Sequence, residues 1–128
     1  MDNLKMIRYE LAPDIEKKLR RFARKLKMDY IDLDRVRGVR SYGSTGKGTV
    51  ARCHALPKVM QLALGIDAHY VIEILTENYK RQAPEEQDKI LIHELMHIPE
   101  TFGGGFRMHR DHVTRKNVEK LYRKLVGE

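Results

Sequence analysis

The chain has 128 residues and carries 25 Lys and Arg against 18 Asp and Glu, a formal net charge of +7. Cys53 is its single cysteine, so an intrachain disulfide and an all-cysteine zinc site are both excluded. No apolar run approaches the ~18 residues of a membrane span, and the charged N-terminus lacks the apolar core of a signal peptide. We therefore expect one cytoplasmic domain, residues 1–128, that does not contact a membrane.

The first half of the chain predicts a basic helix followed by two strands. Pro13 opens the helix, and Ile15, Leu19 and Phe22 recur on one face at helical spacing. The other face of this helix is basic and consists of Lys17, Lys18, Arg20, Arg21, Arg24 and Lys25. Residues 34–56 contain β-branched and alternating positions around a Gly/Ser/Thr turn, which predicts a β-hairpin.

The second half predicts a strand between helices. Pro57 opens a short helix that Gly65 closes, and residues 69–75, HYVIEIL, form the strongest strand pattern. Ordinary sheet packing explains this strand, but as an edge strand it could also bind an extended peptide, with Glu73 facing the cleft. A helix from Pro84 ends before Pro99, and a last helix follows residue 112. This order predicts an α+β fold with a small, mainly antiparallel sheet.

Four of the six histidines fall within residues 93–112, and two of them form an H-E-x-x-H motif. His93 and His97 are four residues apart, so on a helix both imidazoles reach one metal ion. Glu94 points about 100° away and can act as general base toward a metal-activated water. The helix is apolar in nearly every other direction, which predicts burial. Two core histidines bonded to backbone or carboxylates are the structural alternative.

A catalytic zinc ion requires a third protein ligand from beyond Pro99. The metzincin pattern is excluded, because Glu100 and Gly103 stand where it needs glycine and histidine. The remaining candidates are His109, Glu119 and Asp111. A nearby histidine, His112, could orient a ligand, replace one or stabilise an oxyanion, or it could simply lie on the surface of the last helix.

The run LIHELMHIPETFGGGFRMH, followed by the basic VTRKNVEKLY segment, resembles a family of small metallopeptidases from archaea and phages. The resemblance covers about Tyr30 to the C-terminus and extends more distantly to SprT-like zinc proteases. It implies a minimal zincin-like fold with His109 as third ligand. The glycines at 103–105 would then turn the chain sharply and return His109 to the helix. The cysteine-rich zinc module of some SprT-like proteins is missing from this chain.

These observations predict a zinc metallopeptidase. His93, His97 and His109 hold one Zn²⁺, and Glu94 is the general base for hydrolysis of a peptide bond in a protein or peptide substrate. The rival hypothesis is a non-catalytic, zinc-stabilised module that binds nucleic acid through the basic helices. A combination of the two, a peptidase that acts on nucleic-acid-associated proteins, agrees with the positive net charge.

Overall fold

The computed structural model describes residues 6–44, 48–107 and 109–127. Its sheet has four strands in the order β1-β2-β4-β3. Their bounds are β1 Arg8–Leu11, β2 Val36–Tyr42, β3 Ala51–Ala55 and β4 Tyr70–Leu75. β2 pairs with β4 in parallel, whereas the β1–β2 and β3–β4 pairs are antiparallel. The α+β fold and the mainly antiparallel sheet predicted from the sequence are therefore confirmed.

Five α-helices accompany the sheet in the described part of the chain. They are α1 Pro13–Lys25, α2 Lys58–Leu64, α3 Thr76–Tyr79, α4 Pro84–Met96 and α5 Arg115–Leu125. α4 packs between α1 and α5 and also against β3, so it is the central helix of the layer. The core between sheet and helices includes Phe22, Tyr70, Ile72 and Leu95, all without exposed surface. None of the described helices is long and apolar enough to cross a membrane.

The β-hairpin predicted over residues 34–56 is wrong. Both of its strands form, but β4 lies between them and pairs with each. β4 is the most apolar strand and has buried residues on both faces, so the centre of the sheet suits it best. β3 alternates exposed and half-buried residues, which is compatible with an edge. Residues 45–47 of the predicted turn lie outside the described residues.

The central place of β4 also corrects the prediction that residues 69–75 form a peptide-binding edge strand. Both edges of β4 are already hydrogen-bonded, to β2 and β3. Glu73 does not serve a cleft. It is buried and accepts a hydrogen bond from Nε2 of His54 at 2.7 Å, on the face of β3 opposite to Cys53. β3, rather than β4, is the edge strand on this side of the sheet.

Helix α1 approaches the sheet most closely at Gly38 of β2. The amide of Ala12, just before the helix, donates to the carbonyl of Gly38 at 2.9 Å, and the Gly38 amide donates to Glu16 at 3.0 Å. A Cβ at Gly38 would lie 3.2 Å from Ala12, Ile15 and Glu16 atoms. A larger side chain at this position would therefore push α1 away from the sheet.

We predict that Gly38→Leu lowers the free energy of unfolding by about 1–3 kcal/mol, because the added side chain overpacks the contact between α1 and β2. Urea denaturation of the metal-free protein measures the change. Gly105→Leu is the control, since a Cβ there meets no atom within 4 Å; it should change stability by less than about 0.5 kcal/mol. Equal effects of the two substitutions would contradict the close α1–β2 packing.

Candidate metal centre

Helix α4 carries the H-E-x-x-H motif through the interior of the protein. Pro84 occupies the first turn, where no intrahelical partner for its nitrogen is needed, and Glu85 and Glu86 follow where the helix dipole favours acidic residues. The helix ends at Met96, yet His97 keeps helical backbone angles as the C-cap. His93 and His97 consequently remain on one side, with ring centroids 5.0 Å apart.

His109 approaches the two helical histidines from the returning chain. Its Nε2 lies 3.2 Å from Nε2 of His93, and its ring centroid lies 4.5 Å from that of His97. One ring nitrogen of each of the three histidines lies within 4.8 Å of the others. Residues separated by 16 positions in the chain thus meet at one point beside α4.

The spacing of these nitrogens fits a tetrahedral metal ion. Two imidazole nitrogens bound at about 2.0–2.1 Å to one tetrahedral zinc would lie about 3.3 Å apart. The observed 3.2 Å between His93 and His109 agrees with this value. A hydrogen bond between the two imidazoles would explain this one distance, but it would not explain why a ring nitrogen of His97 also lies within 4.8 Å of both. The three histidines could therefore hold a metal ion.

The ring of His97 is fixed by the backbone of Arg107. Nδ1 of His97 lies 2.9 Å from the carbonyl oxygen of Arg107, which can only accept, so Nδ1 carries the proton. The Arg107 amide in turn donates to the carbonyl of His97 at 2.8 Å. This pair of contacts leaves Nε2 of His97 unprotonated and available to a metal, an arrangement typical of histidine ligands.

The glycine segment between the histidines forms a turn that accepts no side chain at its centre. Gly104 has a φ of +108°, and a Cβ there would lie 2.6 Å from Nε2 of Gln61 and 2.8 Å from the carbonyl oxygen of Leu56. The Tyr70 hydroxyl accepts from the Gly104 amide at 2.9 Å and donates to the Gly105 carbonyl at 2.8 Å. Side chains from the sheet and from α2 thus fix the turn.

Burial governs the protonation of the motif. It lowers the pKa of His93 to about 4, with smaller contributions from His97 and His109. It also lowers the pKa of His97, and it raises the pKa of Glu94 to about 7. The imidazoles of His93 and His97 are therefore neutral at physiological pH, as metal ligands must be. Glu94 titrates near neutrality, where a group can both accept and return a proton.

The three histidines and Glu94 open onto a cleft of about 1110 Å³ between β3, α4 and α5. Its lining includes the apolar side chains of Val50, Ile90, Phe106 and Val118. Cys53 also lies in this cleft, and burial together with the charge of Glu94 raises its pKa to about 12. The cysteine is therefore a thiol rather than a thiolate, and the metal-binding chemistry rests on the histidines.

One family of known proteins matches the chain over nearly its whole length. The model of a family described as "Putative phage metallopeptidase" matches residues 7–125. The chain belongs to this family. Neither the search of curated proteins nor the search of solved structures gave a match. The resemblance inferred from the motif extended only from about Tyr30, whereas the family match also includes β1 and α1.

The other candidate ligands lie outside the histidine cluster. Glu119 forms ion pairs with Lys89 at 3.0 Å and with Arg115 at 3.1 Å, and among the described residues the cluster includes neither Asp111 nor His112. Burial lowers the pKa of His112. Glu119 thus joins α5 to α4 through its ion pair with Lys89.

Two residues that hold the glycine turn were not predicted from the sequence. Neither Tyr70 nor Gln61 belongs to a sequence motif that indicates such a role. Both contact the turn across more than 30 residues of chain. A contact between segments this far apart leaves no periodic pattern or fixed spacing in the sequence, so it cannot be predicted from a single sequence.

We predict that Glu94→Gln stabilises the metal-free protein at pH 8 but not at pH 5. Folded Glu94 keeps its proton up to about pH 7, whereas in the unfolded chain it loses it near 4.5. Between these values the folded state binds more protons, so the free energy of unfolding falls as pH rises. Glu94→Gln removes this loss, so at pH 8 the free energy of unfolding of the variant should exceed that of the wild type by about 2–3 kcal/mol.

Urea denaturation in the presence of a chelator measures this difference at both pH values. Because the pKa of His93 is lowered in the folded state, His93 makes the free energy of unfolding rise with pH. This effect is the same in the wild type and in Glu94→Gln, so it cancels when the two proteins are compared. Glu100→Gln is the control, because 76% of that side chain is exposed. A gain for Glu94→Gln that is equal at pH 5 and pH 8 would contradict the inferred burial effect.

Proposed function

We propose that the chain is a zinc-dependent metallopeptidase of the HExxH type. The observation that carries this proposal is the meeting of His93, His97 and His109 at metal-binding distance beside the buried carboxyl group of Glu94. Membership of a metallopeptidase family supports it independently. A purely structural zinc site usually fills its fourth position with another protein ligand and needs no adjacent carboxylate.

The three imidazoles would hold the ion through one nitrogen each, and the Arg107 carbonyl would keep His97 in the required tautomer. A bound zinc ion supplies Lewis acidity, which activates water and polarises a peptide carbonyl. Glu94 accepts the proton of the attacking water and delivers it to the leaving amine. Glu94, whose pKa burial alone raises to about 7, would have a lower pKa beside a bound cation, which would favour its proton-accepting form.

The proposed substrate is an extended peptide segment that lies along β3. This strand ends the described sheet, so its outer edge pairs with no described strand. Ala51, Arg52 and Cys53 of β3 line the cleft that contains the histidines and Glu94. Backbone hydrogen bonds to such an edge bind a peptide largely independently of its side chains. A folded substrate would have to unfold locally before it could bind in this way.

We further propose that α1 binds the phosphate backbone of nucleic acid, so that the peptidase acts on nucleic-acid-associated proteins. Lys18 and Arg20 are paired with Asp88 and Asp34. The remaining basic residues of the helix face are exposed and form no ion pair within the described chain: Lys17, Arg21, Arg24 and Lys25. Four exposed cations on two and a half helical turns could neutralise several phosphates of a polyanion.

We predict about one zinc ion per chain, measured by elemental analysis of the untagged protein. His93→Ala, His97→Ala and His109→Ala should each raise the dissociation constant of zinc more than about a hundredfold, because each removes a ligand. Glu119→Ala, the matched control on α5, should leave the zinc affinity unchanged. Retained affinity in His109→Ala would show that the third ligand is a different residue.

Peptidase activity is predicted to depend on Glu94. Glu94→Gln should keep the zinc but lower the rate about 10²–10⁴-fold, because the general base is lost. Mass spectrometry of new amino termini released from an unfolded protein mixture measures cleavage without assuming a preferred sequence. Zinc binding without Glu94-dependent cleavage would support the non-catalytic alternative, a zinc-stabilised nucleic-acid-binding module.

Nucleic-acid binding is predicted to be sensitive to salt and to depend on the basic residues of α1 more than on those of α5. Neutralising Arg21, Arg24 and Lys25 with glutamine should weaken binding of a labelled DNA oligonucleotide and reduce the slope of log affinity against log salt by up to about 3. Glutamine at Lys116, Lys120 and Lys124 of α5 is the control with the same change in net charge. Fluorescence anisotropy between about 50 and 200 mM salt measures both. Equal losses in the two triple variants would contradict a site on α1.

A further inference from the structure

The segment that returns His109 to the helix forms few backbone hydrogen bonds of its own. The Phe102 amide donates to the carbonyl of Pro99, and the Arg107 amide donates to the carbonyl of His97. Between these two contacts lie the three glycines, the residue type that loses most conformational freedom on ordering. Because His109 is exposed, little packing holds it in place. Contacts from elsewhere must therefore order residues 103–106.

Tyr70 provides two hydrogen bonds and two ring contacts to this segment. It belongs to the central strand β4, has no exposed surface, and pairs in register with Val36 of β2 and Ala55 of β3. Its ring packs edge-to-face against Phe102 and Phe106, which flank the glycines, at centroid distances of 5.0 and 6.4 Å. Its hydroxyl group satisfies one donor and one acceptor of the turn. A central strand of the sheet is thus bonded directly to the glycine turn.

Gln61 holds the same turn from the opposite side. Its side-chain amide donates to the carbonyl of Gly103 at 3.1 Å and to that of Leu56 at 2.8 Å. It thereby links the turn to α2 and to the end of β3. Three consecutive glycines accordingly bond to two side chains, from two different elements.

We propose, on the basis of the metal site in the proposed function, that Tyr70 is a positioning residue for the third ligand. Its hydroxyl group is hydrogen-bonded to the backbone of Gly104 and Gly105, and the backbone of Arg107 is hydrogen-bonded to His97. The backbone just before His109 is therefore held at two places. The hydroxyl does not touch the metal site. It reduces the conformational entropy that His109 loses when it binds a metal ion, and so raises metal affinity. Gln61 assists in the same way.

The proposal predicts that Tyr70→Phe raises the dissociation constant of zinc about tenfold, the effect typical of residues that orient metal ligands. Phenylalanine keeps the ring packed against Phe102 and Phe106. Competition with a chromophoric chelator measures the affinity. In the metal-free protein, hydrogen exchange of the Gly104 amide should become faster in the variant, because this amide loses its acceptor. Gln61→Met should act in the same direction without disturbing the core, because Gln61 is only half-buried and the rest of α2 is exposed.

Tyr79→Phe is the matched control. Tyr79 is also buried, with 7% of its surface exposed, but its hydroxyl has no hydrogen-bond partner among the described atoms. Its zinc affinity should equal that of the wild type. A second control introduces Tyr70→Phe into His109→Ala. If Tyr70 acts through His109, adding Tyr70→Phe to His109→Ala should change the dissociation constant of zinc by less than about twofold.

The inference is overturned if Tyr70→Phe binds zinc as tightly as the wild type, if Tyr79→Phe weakens binding equally, or if the loss persists in the His109→Ala background. Each of these results leaves wild-type zinc binding intact, and with it the proposed function. Absence of zinc from the wild type would instead refute the proposed metal site, and the role of Tyr70 with it.

Discussion

The desolvation of helix α4 is the constraint on which the rest of the site depends. The helix crosses the interior between α1, α5 and the sheet, yet it carries two imidazoles and a carboxyl group. In that environment charged forms are costly, so His93 stays neutral down to about pH 4 and Glu94 is protonated up to about pH 7. The same burial therefore prepares the imidazoles to bind a cation and gives the carboxyl group a pKa suited to proton transfer. A bound cation would supply the positive charge that the buried site lacks.

The histidine cluster combines rigid and flexible supports. His93 and His97 are fixed by the geometry of one helix, whereas His109 depends on a loop that passes through three glycines. A flexible loop would hold a ligand poorly, and the structure compensates by bonding the turn to Tyr70 in the centre of the sheet and to Gln61 on α2. The glycines permit the sharp turn, and these side chains form hydrogen bonds with its backbone. If Tyr70 positions His109 as proposed, the geometry of the histidine cluster depends on contacts with the sheet.

The positive charge of the protein is distributed unevenly around this site. Lys89 and Arg115, at the rim of the cleft, are paired with glutamates on α4 and α5, which leaves little net charge where a peptide would bind. Exposed cations that form no ion pair in the described chain lie on both α1 and α5, and α1 packs against β2 and α4 rather than lining the cleft. A polyanion and a peptide substrate could therefore bind separate surfaces of the same molecule. This separation agrees with a peptidase that acts near nucleic acid.

The sequence by itself determined the features that depend on neighbouring residues. Prolines and apolar periodicity located α1, α2, α4 and α5, and the spacing of His93, Glu94 and His97 indicated the motif, because helical geometry fixes positions four residues apart. The short, exposed strand β1 escaped prediction, since it has no buried face to create a pattern. Only the tertiary structure decided that β4 separates β2 from β3, that His109 lies 3.2 Å from His93, and that Tyr70 holds the turn. These are contacts between distant segments, and their free energy depends on how the whole chain packs rather than on any local pattern.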